Sequence, residues 1–398
     1  MNVPNCKNIV SADKLWNIAL EFIERIDKKQ KEYNLKLAYI VYRYSKISIT
    51  APGTLNNLVF LSCFYNIGKT NKDFNDSEFQ SYLFLKYFSP LKEFSEILLL
   101  KNYKLPIVGN FRICQSFTDN YIKYGDKKIA LEETLKDKDK YNVIDIVNLK
   151  KLVKSTDFDY EFNSFHYKTE IYKIISQSIF DLSYKNNNFF LMLSSLFEMY
   201  SFETLNHSKT TAQIAYLLAL NLNVPARRSK IIYVAGLCHD LGKVCIPLEI
   251  LEKQGSLTDE EFKKMKLHVT YTKEILYQKI DYEIIEIAYR HHERLNGSGY
   301  PNGLTHNKMT IDQEILQAAD VMSALLMKRS YKEEFTWDNC IEILDRQTAE
   351  GKFNPVIINC LKESKADVEN IIKETLVDSE SVYKEIEEER KNYYLLQK

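Results

Sequence analysis

Apolar residues recur along the second half of the chain at the three- and four-residue intervals of a helix face. Ile171, Ile174, Ile175 and Ile179 stand at i, i+3, i+4 and i+8, one stripe of an amphipathic helix. The same reading predicts helices at roughly 210–222, 228–242, 259–279, 281–293, 312–328 and 336–349. Pro225, Pro247, Gly255 and the segment from Gly297 to Gly303 punctuate them. Thr258 followed three residues later by Glu261 is a capping-box pattern that opens the 259–279 helix. A helical bundle with one conspicuous loop is expected.

The first half is less regular. Helical patterns such as Leu15 to Ile26 alternate with short apolar runs such as Leu58 to Tyr65, and no fold is legible there. The polar run from Glu132 to Tyr141 and the charged segment from Lys150 to Glu161 have the composition of a connecting element, which puts a boundary near residue 155. The expected organisation is an N-terminal domain over 1–155, a helical domain over 156–372 and a charged, solvated C-terminal helix over 373–398. A length of 398 residues suits two domains. Gly (11) and Pro (8) are scarce beside Tyr (27) and Phe (21), which favours long elements and a mainly α fold.

Lys plus Arg and Asp plus Glu both number 54, so no net charge draws the molecule to a nucleic-acid polymer or an anionic membrane. Any phosphate site must be local. The seven cysteines form no C-x-x-C pair and are odd in number, which fits reduced thiols in a cytoplasm. Met1 to Lys14 shows no export pattern, and the most apolar runs fall short of the ~20 residues that span a bilayer. A cytoplasmic location without a membrane span is expected.

Six of the seven histidines lie in the second half. His207, His239, His268 and the pair His291–His292 are spaced by about one helix-turn-helix length, so successive helices can each deliver an imidazole to one point of a bundle. Asp240 follows His239, and Asp320 sits in an apolar helix where an unpaired carboxylate is costly. A lone helical histidine is usually a hydrogen-bonded core residue. Five imidazoles and two carboxylates together point to metal, and a set of oxygen and imidazole ligands without thiolate favours Fe, Mn or Zn. His306 reads as a surface residue.

These residues also carry a family resemblance. His239 to Lys243 (HDLGK) resembles the H-D-x-G-K core of HD-domain phosphohydrolases, and His291 to Leu304 (HHERLNGSGYPNGL) resembles the element that defines the HD-GYP subgroup. The likeness runs over roughly 200–360. It implies a C-terminal HD-GYP helical bundle that hydrolyses cyclic di-GMP to pGpG and/or GMP with two or three divalent ions, Fe or Mn. It further implies that His239, Asp240, His268, His291, His292 and Asp320 ligate a two-metal centre with Asp240 bridging. His207 matches the leading histidine of the family. Glu203, one helical turn before it, resembles the Glu of members that hold a third ion.

By the same resemblance Lys243, three and four residues after Asp240 and His239, stabilises the transition state or donates a proton. Arg329 and Lys332 match substrate-phosphate contacts. Gly299, Tyr300 and Pro301 shape the substrate side of the loop, where Tyr300 stacks on a base or packs the loop down. The loop is also the docking place implied for a diguanylate cyclase or other signalling protein, and a homodimer is a further candidate assembly. The GYP element separates this reading from HD hydrolases of triphosphates or alarmones. The intact ligand set separates it from a sensor that binds without turnover.

Two positions depart from the family pattern. Asn296 stands where Asp is usual, and Ser323 where an Asp often follows the metal carboxylate by three, which bears on rate or substrate preference. The first half holds an echo of the second. Leu58 to Lys69 can be laid on Ile232 to Lys243, with Tyr65 and Asn66 in place of His-Asp, and Ser95 to Leu98 resembles Lys273 to Leu276. A degenerate, metal-free HD-like copy is therefore one candidate for the N-terminal domain, and with no histidine before His166 it would be non-catalytic.

Overall fold

The apolar stripes close into helices whose ends are set by named side chains. Thr258 Oγ1 accepts from Glu261 N while Glu261 Oε2 accepts from Thr258 N at 2.7 Å, so the expected capping box opens the Asp259–Lys266 helix. The computed structural model describes residues 4–6, 9–10, 12–70, 76–89, 91–164, 166–178, 192, 206–327 and 335–395. Every regular element among them is helical, and one isolated antiparallel bridge joins Asn296 to Thr305. No helix among the described residues is long and apolar enough to cross a membrane.

The chain divides into two units, Met1–Phe22 with Asn186–Lys398, and Ile23–Lys185. The boundary expected near residue 155 falls inside the second unit, because the two presumed connectors are packed structure. Tyr141, at the end of the polar run, is buried and stacks on Tyr103 at 5.6 Å. In the charged segment, Phe158 and Phe162 are buried against Tyr121 at 5.7 and 4.8 Å. Most charges there face outward while Phe158 and Phe162, four residues apart, anchor the buried face.

In the other unit the His207–Asn221, Ala226–Cys238 and Ile311–Leu326 helices form the core, with Ile214, Leu218, Ile232, Val234, Leu316 and Met322 fully buried. The first 22 residues join this unit through buried Leu15, Trp16 and Ile18 and an ion pair of Lys14 with Asp281 at 3.6 Å. The charged tail is one helix, Lys365–Leu395, so position 373 lies within it. It is not a free solvated helix. Thr375 Oγ1 donates to Gln213 Oε1 at 3.1 Å and Lys209 pairs with Asp378 at 3.1 Å.

The N-terminal unit repeats one piece of this geometry. The Ala226–Cys238 helix runs into a short 3-10 turn, Leu241–Cys245, where Gly242 N donates to Thr272 Oγ1 at 2.8 Å. The Pro52–Phe64 helix runs into Ile67–Thr70, where Gly68 N donates to Ser81 Oγ at 2.9 Å. Both glycines sit where a Cβ would meet a backbone oxygen, that of His268 at 2.0 Å and that of Ser77 at 2.4 Å. This register makes Ser77–Phe88 the counterpart of His268–Leu276. Ser95 to Leu98 is therefore not the partner of Lys273 to Leu276, a correction to the sequence echo; Tyr82 to Leu85 is.

Candidate metal centre

Three of the expected helices end earlier than their apolar pattern, each within two residues of a histidine. The 228–242 helix stops at Cys238, the 259–279 helix breaks after Lys266, and the 281–293 helix stops at Tyr289. At each break the imidazole turns back onto the carbonyl three residues earlier. His239 Nδ1 lies 2.7 Å from Gly236 O, His268 Nδ1 2.7 Å from Met265 O, and His291 Nδ1 2.6 Å from Ala288 O. The last carbonyls of a helix lack intrahelical donors, so each imidazole N–H satisfies one. A carbonyl only accepts, so Nδ1 carries the proton and Nε2 presents a lone pair, the tautomer a metal ligand needs.

His207 opens its helix and is held differently. The Ser323 hydroxyl points at His207 O (3.5 Å), leaving Oγ to accept from His207 Nδ1 at 3.1 Å. His207 Nε2 then lies 3.1 Å from Asp320 Oδ1. The structure thus brings together six of the expected ligands in two groups, His207, His239 and Asp240, and His268, His291 and His292, each with its ligand atoms within 4.8 Å of one another. Asp240 faces both: Oδ2 is 3.2 Å from His239 Nε2 and 3.8 Å from His207 Nε2, while Oδ1 is 3.4 Å from His268 Nε2 and 3.9 Å from His291 Nε2. Asp320 also reaches both, lying 3.5 Å from His239 Nε2 through Oδ1 and 3.8 Å from His292 Nδ1 through Oδ2.

The donor set fits cations and little else. His239 Nε2 and Asp240 Oδ1 are fully buried without a hydrogen-bond partner, a costly state for two polar atoms aimed at one point. Burial pushes His268 down to about 4 and His291 to about 3, and holds His292 well below its usual range, so these rings are neutral at neutral pH. Burial also opposes charge on His239, but Asp240 and Asp320 outweigh it and lift the ring to about 10. Burial would raise both carboxyls; the neighbouring imidazoles overcome it and, with Lys243 in the case of Asp240, hold them well below the carboxylate range. Two ionised carboxylates thus face four imidazoles held neutral, those of His207, His268, His291 and His292, while His239 keeps a proton that a bound cation would displace.

The loop after His292 is clamped from below by Glu293, a residue that sequence reasoning did not single out. It is fully buried and accepts from Asn302 N at 2.7 Å and Leu304 N at 2.8 Å. A carboxylate serving two backbone donors of one turn fixes that turn. A Cβ on Gly299 would lie 2.3 Å from Arg294 N, so the loop folds directly onto its own start. Tyr300 packs on His292 with ring centroids 4.7 Å apart, and Pro301 follows it. Asn296 keeps the turn bond expected of it, accepting from Ser298 N at 3.1 Å. Its amide also donates to Glu350 O at 2.9 Å, a bond an Asp could not make.

Lys243 rests its ammonium on Asp240 Oδ2 at the rim of the cluster. His306 is exposed and bonds Glu314 at 3.0 Å, away from the centre. Glu203, Arg329 and Lys332 lie outside the described residues.

Comparison with known proteins bears on the same half of the chain. Residues 192–357 match the HD domain family. The cyclic di-GMP phosphodiesterase response regulator RpfG of Xanthomonas campestris is 37% identical over 172 residues, 40% of this chain and 43% of that protein. The 3′3′-cGAMP-specific phosphodiesterase 2 of Vibrio cholerae is 37% identical over 174 residues, 43% and 33% of the two chains. A cyclic di-GMP phosphodiesterase of Thermotoga maritima is 30% identical over 185 residues, 45% and 50%. The chain thus spans half or less of the length of these relatives. A crystal structure of a cyclic GMP-AMP specific phosphodiesterase of V. cholerae, V-cGAP3, shares the fold over 90% of this chain and 98% of its own, with a TM-score of 0.54 and 15% identity.

Proposed function

We propose that the protein, whose residues 192–357 match the HD domain family and whose relatives include cyclic di-GMP phosphodiesterases, is a metal-dependent phosphodiesterase that hydrolyses cyclic di-GMP to pGpG and/or GMP and so lowers a second messenger. One observation carries this reading: the two oxygens of buried Asp240 face separate groups of imidazoles, the arrangement of a bridging carboxylate. His207, His239 and Asp320 would hold one ion with it, and His268, His291 and His292 the other. Glu203 would add a third ion beside His207. Two divalent ions, Fe or Mn, would supply the activated water and neutralise charge on the phosphoryl oxygens.

The chain's own residues have distinct tasks in this scheme. The three carbonyl-anchored imidazoles fix the ligand atoms before anything binds, which avoids reorganisation during the reaction. Lys243, at the rim, would stabilise the transition state or donate a proton to the departing ribose oxygen. Tyr300 and the glycine-rich turn close one side of the site, and Arg329 and Lys332 are assigned to the second phosphate. The same loop is the assigned docking place for a diguanylate cyclase or other signalling protein.

The N-terminal unit is, in this reading, a degenerate HD-like copy that takes no part in catalysis. The repeated helix–turn–glycine geometry supports it, with Tyr65 where His239 stands. Tyr65 donates to Glu78 at 2.6 Å, and Glu78 pairs with Arg112 at 2.9 Å, so hydrogen bonds take the place of ligands there.

The test is turnover of cyclic di-GMP by anaerobically reconstituted protein, with products separated chromatographically and metal counted on the same sample. Between two and three ions per chain and chelator-sensitive formation of pGpG or GMP are expected. Less than one ion, or activity indifferent to chelators, would overturn the proposal, and tight binding without turnover would favour a sensor instead.

A further inference from the structure

The Asp259–Lys266 helix has no buried residue, yet it carries an aromatic ring at the mouth of the metal centre. Phe262 is 45% exposed and meets Tyr300 edge to face with centroids 6.4 Å apart. Tyr300 in turn packs on His292 at 4.7 Å. Two ring-to-ring steps therefore lead from a candidate metal ligand to Phe262. Lys266 lies over both rings, 4.6 Å from the centroid of Phe262 and 5.3 Å from that of Tyr300. Its ammonium pairs with no carboxylate among the described residues, unlike Lys253 and Lys263 beside it.

We infer that Phe262 and Lys266 form a base-recognition shelf. Resting on the phosphodiesterase reading, it assigns them to the nucleobase of the substrate while the metal centre takes the scissile phosphate. A purine stacks on the open face of Phe262, and the Lys266 ammonium, held by the two π faces, reaches the acceptor edge of the base or the adjoining phosphate. Phe262 keeps only the edge contact with Tyr300 and the Lys266 ammonium, and the rest of this large apolar ring stands open on a helix with no buried residue. Because Tyr300 touches both the shelf and His292, the loop links base recognition to the reacting end of the site.

Calorimetric titration of the metal-loaded protein with guanosine 5′-monophosphate, and with ribose 5-phosphate as the base-free control, tests the shelf without requiring turnover. Stacking on one aromatic is worth ~1–3 kcal/mol per base, about 5- to 150-fold in affinity. The wild type is expected to prefer the nucleotide by at least fivefold. Phe262→Ala should abolish that preference, Phe262→Tyr should keep it, Phe262→Leu should not restore it, and Lys266→Gln should weaken nucleotide binding severalfold. Equal nucleotide affinity in Phe262→Ala and wild type, or no preference in the wild type, would overturn the shelf. Cyclic di-GMP turnover is scored separately. A base preference without turnover leaves the shelf standing and sinks the phosphodiesterase reading; turnover with an unchanged KM in Phe262→Ala does the reverse.

Discussion

Gly242→Ala puts the geometric argument at most risk. A Cβ there would stand 2.0 Å from His268 O and 2.4 Å from Thr272 N, against an ordinary contact of about 3.5 Å. The 241–245 turn and the 268–276 helix must therefore separate by roughly 1 Å or more. That movement breaks the bond from Gly242 N to Thr272 Oγ1 and strains the one from Thr272 Oγ1 to His239 O. The one broken buried hydrogen bond at about 1 kcal/mol and overpacking of about 1–3 kcal/mol give a loss of roughly 2–4 kcal/mol. In a unit of this size the melting temperature should fall by about 5–15 °C. Ligand distances in metal sites tolerate only about 0.2 Å, so His268 and Asp240 would no longer share an ion. Melting curves with and without Mn(II), and metal counts by mass spectrometry, read both effects. Gly68→Ala is the control, since its Cβ would crowd Ser77 O at 2.4 Å in the other unit. It should destabilise comparably and leave metal content unchanged. Wild-type metal content in Gly242→Ala, or equal metal loss in both variants, would refute the reasoning.

Other outcomes follow from single contacts. Asp240→Ala should abolish turnover and release metal, because both groups lose a shared ligand; a near-normal rate would place the site elsewhere. Ser323→Ala removes the acceptor for His207 Nδ1 and should weaken metal binding about tenfold in competition with a chelator, with little change in fold. Glu293→Ala frees Asn302 N and Leu304 N, so hydrogen exchange in 297–304 should accelerate while the metal count is preserved; unchanged exchange would deny the clamp. Glu203→Ala should cost one equivalent of metal and leave two, and unchanged stoichiometry would make it a surface carboxylate.

The clustering of the candidate ligands was legible from sequence because each residue type is expensive to bury alone. Five imidazoles and Asp240 and Asp320 at helical spacings have few bland explanations, and the structure gathers all seven of them. Residues that support the site were not legible. Gly236, Met265 and Ala288 contribute only carbonyls, which any residue carries, and Glu293 reads in one dimension as an ordinary helical acid. Ser323 could be noticed only as a departure from a pattern, whereas its contact with His207 spans 116 positions. The charged stretch around Asp157 to Glu161 misled for the complementary reason. Charge density marks solvent exposure of one face, and Phe158 and Phe162 were hidden on the other.

Sequence by itself determined the helical class, the pairing of histidines with acidic residues and the glycine-rich loop, because helix period, ligand chemistry and turn chemistry are local. Tertiary structure alone decided where the chain divides, since residues 1–22 pack with a unit that resumes at residue 186. It also decided where the helices end. An apolar repeat has no means of stopping itself at Cys238, Lys266 or Tyr289. At each of these breaks an imidazole bonds a terminal carbonyl and faces a carboxylate distant in sequence, contacts that only the folded chain supplies.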